Sequence, residues 1–205
     1  MKSATTTAVS LADIQRRVLS GSPATVVLVE GLSDWFALET LAARLGRDLS
    51  ADGVGILPMG GATNLGRFLA MVGPRGRGLR VAGLCDLGEQ EHFRHSLQRA
   101  GLGPGLDRPT LESMGFFVCA RDLEEELIRA LGVAAVEAVI ERAGDLVSFR
   151  RLQQMPFHRD RTPEQQLHRF MGVRSGRKYR YAQALAQAVA IERIPRPLHA
   201  LLDHV

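Results

Sequence analysis

A short apolar run that ends at an acid constrains the fold of this chain more than any other feature. Val26 to Val29 form an uninterrupted, mostly β-branched run, which Glu30 and then Asp34 follow. Such a run is typical of a strand buried on both faces of a parallel sheet, and the apolar residues at helical spacing after it predict a crossover helix. At the carboxyl end of a central strand, Glu30 would lie where open α/β sheets bind their ligands.

The same strand-then-helix pattern recurs three more times along the chain. Strands are predicted at 54–58, 79–84 and 116–119, with a helix at about 90–100 and a loop at 101–109 between the last two. Right-handed crossovers place the carboxyl ends of such strands along one edge of a parallel sheet. The predicted fold class is therefore α/β, with a Rossmann-like, four-stranded parallel sheet and flanking helices.

The second half of the sequence changes character. From about residue 132 onward the pattern is helical, in three apolar stripes that prolines separate. The 205 residues are enough for one large domain or for a domain with a helical appendage. We predict an α/β domain over residues 1–131, with its core at about 24–131, and an α-helical C-terminal extension over residues 132–205 that folds back on the sheet.

The composition permits nucleic-acid binding and predicts no membrane segment. The 26 basic residues only mildly exceed the 22 acidic ones, which allows a nucleic-acid partner without demonstrating one. No apolar run is long enough to cross a membrane, so we expect a cytoplasmic protein with no membrane contact. Cys85 and Cys119 lie beside apolar residues without metal-ligand spacing, which predicts buried, reduced thiols.

Five acids are predicted to meet at the carboxyl edge of the sheet. They are Glu30, Asp34, Asp86, Asp122 and Glu124, and they follow three of the four strands. Carboxylate oxygens are the ligands that Mg2+ and Mn2+ prefer, and two ions about 3.5–4 Å apart can clamp the attacking and leaving oxygens of a phosphodiester. No set of histidines and cysteines in the sequence has the spacing of a zinc site.

These motifs resemble those of the Toprim (topoisomerase-primase) domains. Val26–Gly31 matches the glutamate motif of that family, and Leu79–Asp86 matches the aspartate motif that closes the third strand. The chain is most similar to the Toprim portion of the OLD (overcoming lysogenisation defect) nucleases. The Glu-Gly-x-Ser-Asp, Gly-Gly-then-Asn and Asp-Leu-Glu motifs of those nucleases match Glu30–Asp34, Gly60–Asn64 and Asp122–Glu124.

The resemblance implies a nuclease that uses one or two Mg2+ or Mn2+ ions to hydrolyse phosphodiester bonds in DNA. It assigns Glu30 and Asp34 as metal ligands or as acid and base. It assigns Asp86 as a ligand, and Asp122 and Glu124 as the acids that complete the site. The sequence itself leaves open whether the substrate is DNA or RNA and how many ions bind.

A basic segment precedes one of the last predicted helices. The OLD nucleases place a lysine there, and the resemblance assigns this role to Lys178, which would stabilise negative charge on the phosphate in the transition state. Arg174, Arg177, Lys178 and Arg180 occur together with two tyrosines in this segment. Basic residues mixed with aromatics suit a nucleic-acid backbone, so we predict DNA contact, with a solvated charged surface as the alternative.

The sequence departs from the family pattern in two ways. The aspartate motif of the family is usually Asp-x-Asp, but here Gly88 stands at the second acid position and Glu89 follows it. A second metal therefore depends on whether Glu89 replaces the missing carboxylate. Family members also usually carry an ABC-type ATPase on the same chain, whereas no Walker motif occurs here. The chain would then act alone or with a separate ABC-type ATPase, and a homodimer is one oligomeric state left open.

Structural roles compete with the catalytic ones at several of these positions. Asp34 and Asp122 each begin a predicted helix, where an acid often serves as a cap, and a helix N-terminus also favours an acid such as Glu30. Gly60 and Gly61 are expected to form a tight turn. A contact between their backbone N–H groups and a substrate phosphate is the alternative.

Two other functions stay open at this stage. One is a catalytically reduced Toprim module that docks on DNA or on an ATPase without cutting, and Gly88 favours it. The other is a Toprim domain of a primase, a topoisomerase or an RNA-maturation nuclease. The chain lacks the tyrosine domain that a topoisomerase needs, and the helical extension argues against a bare primase core.

Overall fold

Four parallel strands form one sheet in the computed structural model of the chain, which describes residues 10–103, 107–172 and 177–205. The strands are β1 (Thr25–Val29), β2 (Val54–Pro58), β3 (Arg80–Asp86) and β4 (Phe116–Cys119). Their order in the sheet is β2-β1-β3-β4, and each neighbouring pair is parallel. The predicted α/β fold class is confirmed, and β1 and β3 are the two central strands.

Helices connect the strands and account for most of the described chain after β4. Between and before the strands they are α1 (Leu11–Ser20), α2 (Leu32–Arg44), α3 (Leu65–Val72), α4 (Gln90–Arg99) and α5 (Arg108–Ser113). After β4 they are α6 (Leu123–Leu131), α7 (Val133–Arg142), α8 (Leu146–Gln154), α9 (Pro163–Gly172), α10 (Arg177–Ala188) and α11 (Arg196–His204). None of the described helices is long and apolar enough to cross a membrane.

The two faces of the sheet are buried by different helices. Successive side chains of a strand point to opposite faces, so Val26 and Leu28 pack against α3, α4 and α5. Val27 and Val29 point the other way and join a larger core with α2 and α6 to α11. Burial on both faces explains why β1 is apolar at nearly every position rather than at alternate ones.

The C-terminal helices fold back on the sheet, as predicted. Helix α10 lies beside α2 and runs parallel to it. Near the start of both helices the rings of Phe36 and Tyr179 stack with centroids 5.2 Å apart, and near their ends Arg44 Nη1 donates to the Ala186 carbonyl at 2.7 Å. Helix α11 packs on the outer strand β4. Its C-terminal end also contacts the segment after α2, where Arg47 Nη2 donates to the Val205 carbonyl at 2.7 Å. The predicted boundary at residue 132 stays a prediction.

The structure contains helices that the sequence patterns did not predict. Helix α5 begins inside the predicted loop at 101–109, because Asp107 caps it by accepting from the Thr110 N–H at 2.9 Å. Helix α8 was also missed. Pro197 was expected to break a helix, yet it lies in the first turn of α11, where a proline is tolerated because the first N–H groups have no helical partner.

Candidate metal centre

The carboxyl ends of the two central strands meet at a cavity of about 330 Å³, which we call the acidic cavity. Glu30 follows β1, and Asp86 is the last residue of β3. Four of the five predicted metal-binding acids and the predicted catalytic lysine line the cavity, namely Glu30, Asp34, Asp86, Glu124 and Lys178. The parallel sheet therefore brings together residues that lie up to 148 positions apart in the sequence.

Asp34 both caps its helix and faces the acidic cavity. Its Oδ2 accepts from the Gly31 N–H at 2.8 Å, which is the helix cap considered from the sequence, and the side chain lines the cavity as well. The residue is 8% exposed. Burial, followed by the negative charge of Glu124, raises the pKa of Asp34 to about 7. The capping and metal-binding roles are thus compatible in one residue.

Asp86 shows how much negative charge the cavity concentrates. Burial raises its pKa to about 8, and the charges of Asp34, Glu30 and Asp122 act in the same direction. Each of these carboxylates therefore makes ionisation of the others more costly. A cation bound among them would remove this cost.

Lys178 supplies positive charge from α10. Its Nζ lies 3.3 Å from Glu124 Oε2, and its side chain is 51% exposed, which leaves the ammonium group open to the cavity. Desolvation alone would lower the pKa of Lys178, but Glu124 and Asp34 raise it above its ordinary value. Burial raises the pKa of Glu124 despite this lysine.

Asp122 lies beside the acidic cavity and joins a second group of possible ligands. Asp122, Glu124 and His168 each offer one ligand atom, and these atoms lie within 4.8 Å of one another. Asp122 Oδ1 accepts from the Glu125 N–H at 2.8 Å and so caps α6, while Asp122 Oδ2 lies 2.6 Å from His168 Nε2. Although burial opposes it, the hydrogen bond from His168 lowers the pKa of Asp122.

His168 was given no role from the sequence. It lies 46 residues after Asp122, on α9, and no motif or local spacing connects the two. The contact arises because α9 packs against α6. Histidines are common beside the buried apolar residues of a helix. The sequence alone therefore contained no signal that His168 contacts Asp122.

The glycine turn after β2 supports the acidic cavity from one side. Gly60 and Gly61 have φ values of +76° and +129°, a region that side chains disfavour. Their N–H groups donate to the Glu30 carbonyl at 2.9 and 3.0 Å. Since both groups already have a partner, the geometry favours the turn over a contact with a substrate phosphate. Asn64 Nδ2 closes the turn on the Met59 carbonyl at 3.1 Å.

The predicted DNA-binding residues have unequal surroundings. Arg177 has a side chain only 11% exposed, with its guanidinium 4.3 Å from the Phe170 ring centroid and 3.7 Å from Asp145, so it contributes to packing. Lys178 and Arg180 are exposed, whereas Arg174 lies outside the described residues. DNA contact by these four residues stays a prediction.

Gly88 has no carboxylate, and that of Glu89 does not line the acidic cavity. Both belong to a short 3-10 turn, Leu87–Glu89, that leads into α4. In the described part of the chain Glu89 does not line the cavity with Asp86. The hypothesis that Glu89 substitutes for the missing acid therefore receives no support from this geometry.

The donor set fits a hard divalent cation. Five carboxylates face one lysine and one histidine in and beside the acidic cavity. Glu124 Oε1 is buried and has no hydrogen-bond partner in the described part of the chain, so it has an unmet need for a positive or hydrogen-bonding group. Carboxylate oxygens of this kind suit Mg2+ or Mn2+ better than softer metals.

Comparisons with known proteins show which family and which solved structures this chain is similar to. Residues 24–87 match a family model described as the TOPRIM domain of overcoming lysogenization defect protein-like proteins. The C-terminal region of the OLD protein from Xanthomonas campestris pv. campestris aligns with a TM-score of 0.69 and 28% identity, over 89% of this chain and 92% of that one. The predicted resemblance to the OLD-type Toprim domain is therefore confirmed.

A second solved structure extends the likeness in fold. The C-terminal region of the Burkholderia pseudomallei OLD protein aligns with a TM-score of 0.64 and 24% identity, over 89% of this chain and 96% of that one. The shared fold includes the helices after β4 because the alignment covers most of both chains. No protein of curated function matches the sequence.

Proposed function

We propose that this chain, whose residues 24–87 match the OLD-like TOPRIM family model, is a cytoplasmic nuclease that uses Mg2+ or Mn2+ to hydrolyse phosphodiester bonds in DNA. One observation supports this proposal above the others. Glu30, Asp34, Asp86 and Glu124 converge with Lys178 on a single cavity at the carboxyl edge of the sheet. Such a group of acids is costly to bury unless it serves to hold cations.

The acids divide naturally into two neighbouring sets. Asp122 and Glu124, whose ligand atoms lie within 4.8 Å of each other and of His168, would hold one ion. Glu30, Asp34 and Asp86 line the acidic cavity without forming such a close group in the described residues, and they would be the ligands of a second ion. A bound ion of this kind activates water and offsets charge on the phosphate. His168 donates to Asp122 and fixes the orientation of its carboxylate, as partners of metal ligands commonly do.

Lys178 would act on the phosphate directly. Its ammonium group is charged at neutral pH, since the neighbouring carboxylates more than offset the effect of burial on its pKa. Glu124 holds the group at 3.3 Å, so the positive charge is positioned before substrate arrives. A preorganised donor of this kind stabilises the charge that develops on the phosphate in the transition state.

Glu30 would act as a ligand and as the base for the attacking water. It follows the central strand β1, and its carbonyl is fixed by two N–H groups of the glycine turn. This anchoring holds the backbone of the catalytic acid still relative to the sheet. We expect the position of Glu30 to depend little on the surrounding loops.

The decisive experiment is plasmid nicking by the purified chain in Mg2+, Mn2+ or EDTA. We expect cutting that needs metal and that Glu30→Gln and Asp86→Asn each reduce by at least about 100-fold, since both remove a ligand. Glu91→Gln is the matched control, because this acid is 65% exposed on α4 and lies outside the acidic cavity. Cutting that survives both substitutions would contradict the proposal.

A catalytically reduced binding module is the second candidate, and Gly88 is the observation that favours it. This hypothesis predicts that the wild type binds DNA and gains thermal stability from Mn2+ but leaves plasmid intact. The nuclease hypothesis predicts cutting under the same conditions. Running the melting and plasmid assays on one preparation distinguishes the two.

The proposal extends to partners. A separate ABC-type ATPase is the protein partner that we propose, and it would supply any ATP-dependent step. Affinity purification of the tagged chain from its native cells, followed by an ATPase assay, tests this, and ATP-independent cutting at full rate would argue against such a partner. Light scattering of the purified chain tests for a homodimer.

A further inference from the structure

A second cavity adjoins the metal centre and has the opposite charge. Its volume is about 320 Å³, and we call it the arginine cavity. The residues that line it are Arg121, Arg161, Gln165, His168 and Arg169. No acid lines it in the described part of the chain, in contrast to the acidic cavity.

Two elements build much of the arginine cavity. Gln165, His168 and Arg169 lie three and four positions apart on α9, which places them on one face of that helix. Arg121 comes from the connection between β4 and α6, directly before Asp122. The cavity therefore lies at the carboxyl edge of the sheet, on the β4 side of the acids.

The positive charge of the arginine cavity is poorly compensated. The guanidinium of Arg161 lies over the ring of Phe157, 4.9 Å from its centroid, so an aromatic ring rather than a carboxylate holds it. Neither Arg161 nor Arg169 forms an ion pair with an acid in the described residues. Arg121 reaches Asp122 and Glu125 only at 4.0 and 3.8 Å.

His168 connects the arginine cavity to the metal centre. It lines the cavity, and its Nε2 lies 2.6 Å from Asp122 Oδ2. His168 thus belongs both to the candidate ligand group and to a pocket that three guanidinium groups line. Guanidinium groups bind phosphate oxygens in a planar, two-pronged geometry.

We propose that the arginine cavity binds a backbone phosphate of the nucleic-acid strand on one side of the bond to be cut. The position of that phosphate relative to the cut rests on the proposed function, but the binding itself does not. Phosphate contacts of this kind fix the register of a strand without reading its sequence. The strand would run along the carboxyl edge of the sheet, from the acidic cavity past Asp122 to α9.

The test measures binding of a fluorescent single-stranded DNA oligonucleotide in EDTA, where no cutting occurs. Arg161→Gln and Arg169→Gln are compared with Arg159→Gln, a matched control two residues from Arg161 that is 66% exposed and outside the cavity. We expect each cavity variant to bind more weakly. The slope of log affinity against log salt should become shallower by about 0.7 for each phosphate of a single strand that the variant no longer neutralises.

Two further measurements keep the result interpretable. Arg161→Lys retains the charge, so it should keep most of the salt slope, and melting curves check that every variant is folded. Cavity variants with the same slope as the control would overturn the proposal. Inorganic phosphate that binds the wild type but not the cavity variants, with no change in the oligonucleotide slopes, would identify a site for small anions and would overturn it as well.

Failure of this proposal and failure of the nuclease proposal give different results. A wild type that cuts plasmid, with cavity variants that bind DNA as the control does, would overturn the arginine cavity alone. A wild type that fails to cut both alone and with the proposed ATPase, while the variants show the expected decrease of salt slope, would support the cavity and overturn the nuclease.

Discussion

At the scale of single residues, Gly88 is the position where this chain differs most informatively from the Asp-x-Asp pattern. A Cβ atom built at Gly88 meets no atom within 4 Å, and its φ is not positive, so a side chain can be added without strain. The family resemblance predicts an acid two residues after Asp86 as a further ligand of the candidate metal centre. Glycine at this position leaves the candidate centre with one carboxylate fewer, without any structural need.

Gly88→Asp tests that conclusion as a gain of function. We expect the free energy of unfolding to change by less than about 0.5 kcal/mol, as for an exposed site, while Mn2+ affinity measured by calorimetry rises. Gly88→Ala controls for the loss of backbone freedom and should leave the affinity unchanged. Equal metal affinity in both variants would show that this position lies outside the reach of the ion.

Lys178 and Glu124 form one ion pair but should respond differently to substitution. Lys178→Gln removes a donor to the transition state, so we expect kcat to fall by about 10²–10³-fold. Metal affinity should stay or increase, because Glu124 loses a competing cation. Glu124→Gln should instead weaken metal binding. Calorimetry with Mn2+ beside single-turnover cutting separates the two effects, and parallel losses of metal affinity would contradict these roles.

At the scale of elements, the sequence was most informative where local periodicity determines structure. All four strands were predicted, because apolar runs that end at turns and acids are visible within a few residues. The position of α10 was not predictable in this way. It depends on contacts such as the one between Arg44 and Ala186, which lie 142 positions apart. The resemblance to OLD nucleases, rather than any local pattern, pointed to Lys178.

The parts of the site that the sequence did not predict are those that depend on packing between helices. Glu30 and Asp86 were identifiable because each ends a predicted strand, so topology alone places them together. His168 and the arginine cavity required the packing of α9 on α6, for which the sequence contained only an apolar stripe. Sites formed at the ends of strands are thus easier to predict than sites formed between helices.

The pairing of α2 with α10 provides a prediction at this scale. Phe36 stacks on Tyr179 at the end near the acidic cavity, whereas Arg44 binds α10 at the far end. We expect Phe36→Ala and Arg44→Ala each to lower the free energy of unfolding by about 1–2 kcal/mol. Only Phe36→Ala should also slow cutting, by roughly 10-fold or more. The reason is that Phe36 packs on the first turn of α10, which contains Lys178.

Chemical denaturation and cutting rates measured on both variants test this asymmetry. Phe36 does not line the acidic cavity, so its effect on cutting would have to act through the position of α10. If both variants slowed cutting in proportion to their loss of stability, the contact between Phe36 and Tyr179 would stabilise the fold without positioning Lys178.

At the scale of the whole molecule, the crowded acids make stability depend on pH. Asp34 and Asp86 have folded-state pKa values of about 7 and about 8, well above the ordinary value of 3.8. Between the ordinary pKa and the folded-state pKa values, the folded state binds more protons than the unfolded state. The free energy of unfolding should therefore fall as pH rises through this range. The stabilising contribution is complete below about pH 4 and is lost as pH passes through the folded-state values.

Metal should reverse this trend, which gives the most global test of the centre. In EDTA we expect the melting temperature to fall between about pH 5 and about pH 8, and Asp86→Asn to flatten that fall, since the amide cannot ionise. Saturating Mn2+ should raise the melting temperature more at about pH 8 than at about pH 5.5, because ions bind the deprotonated carboxylates.

Asp13→Asn, at an acid 63% exposed on α1, is the control and should follow the wild type. A wild type in EDTA that grows more stable over this range would show that the acids are already compensated within the fold, and a cation among them would then have no energetic basis.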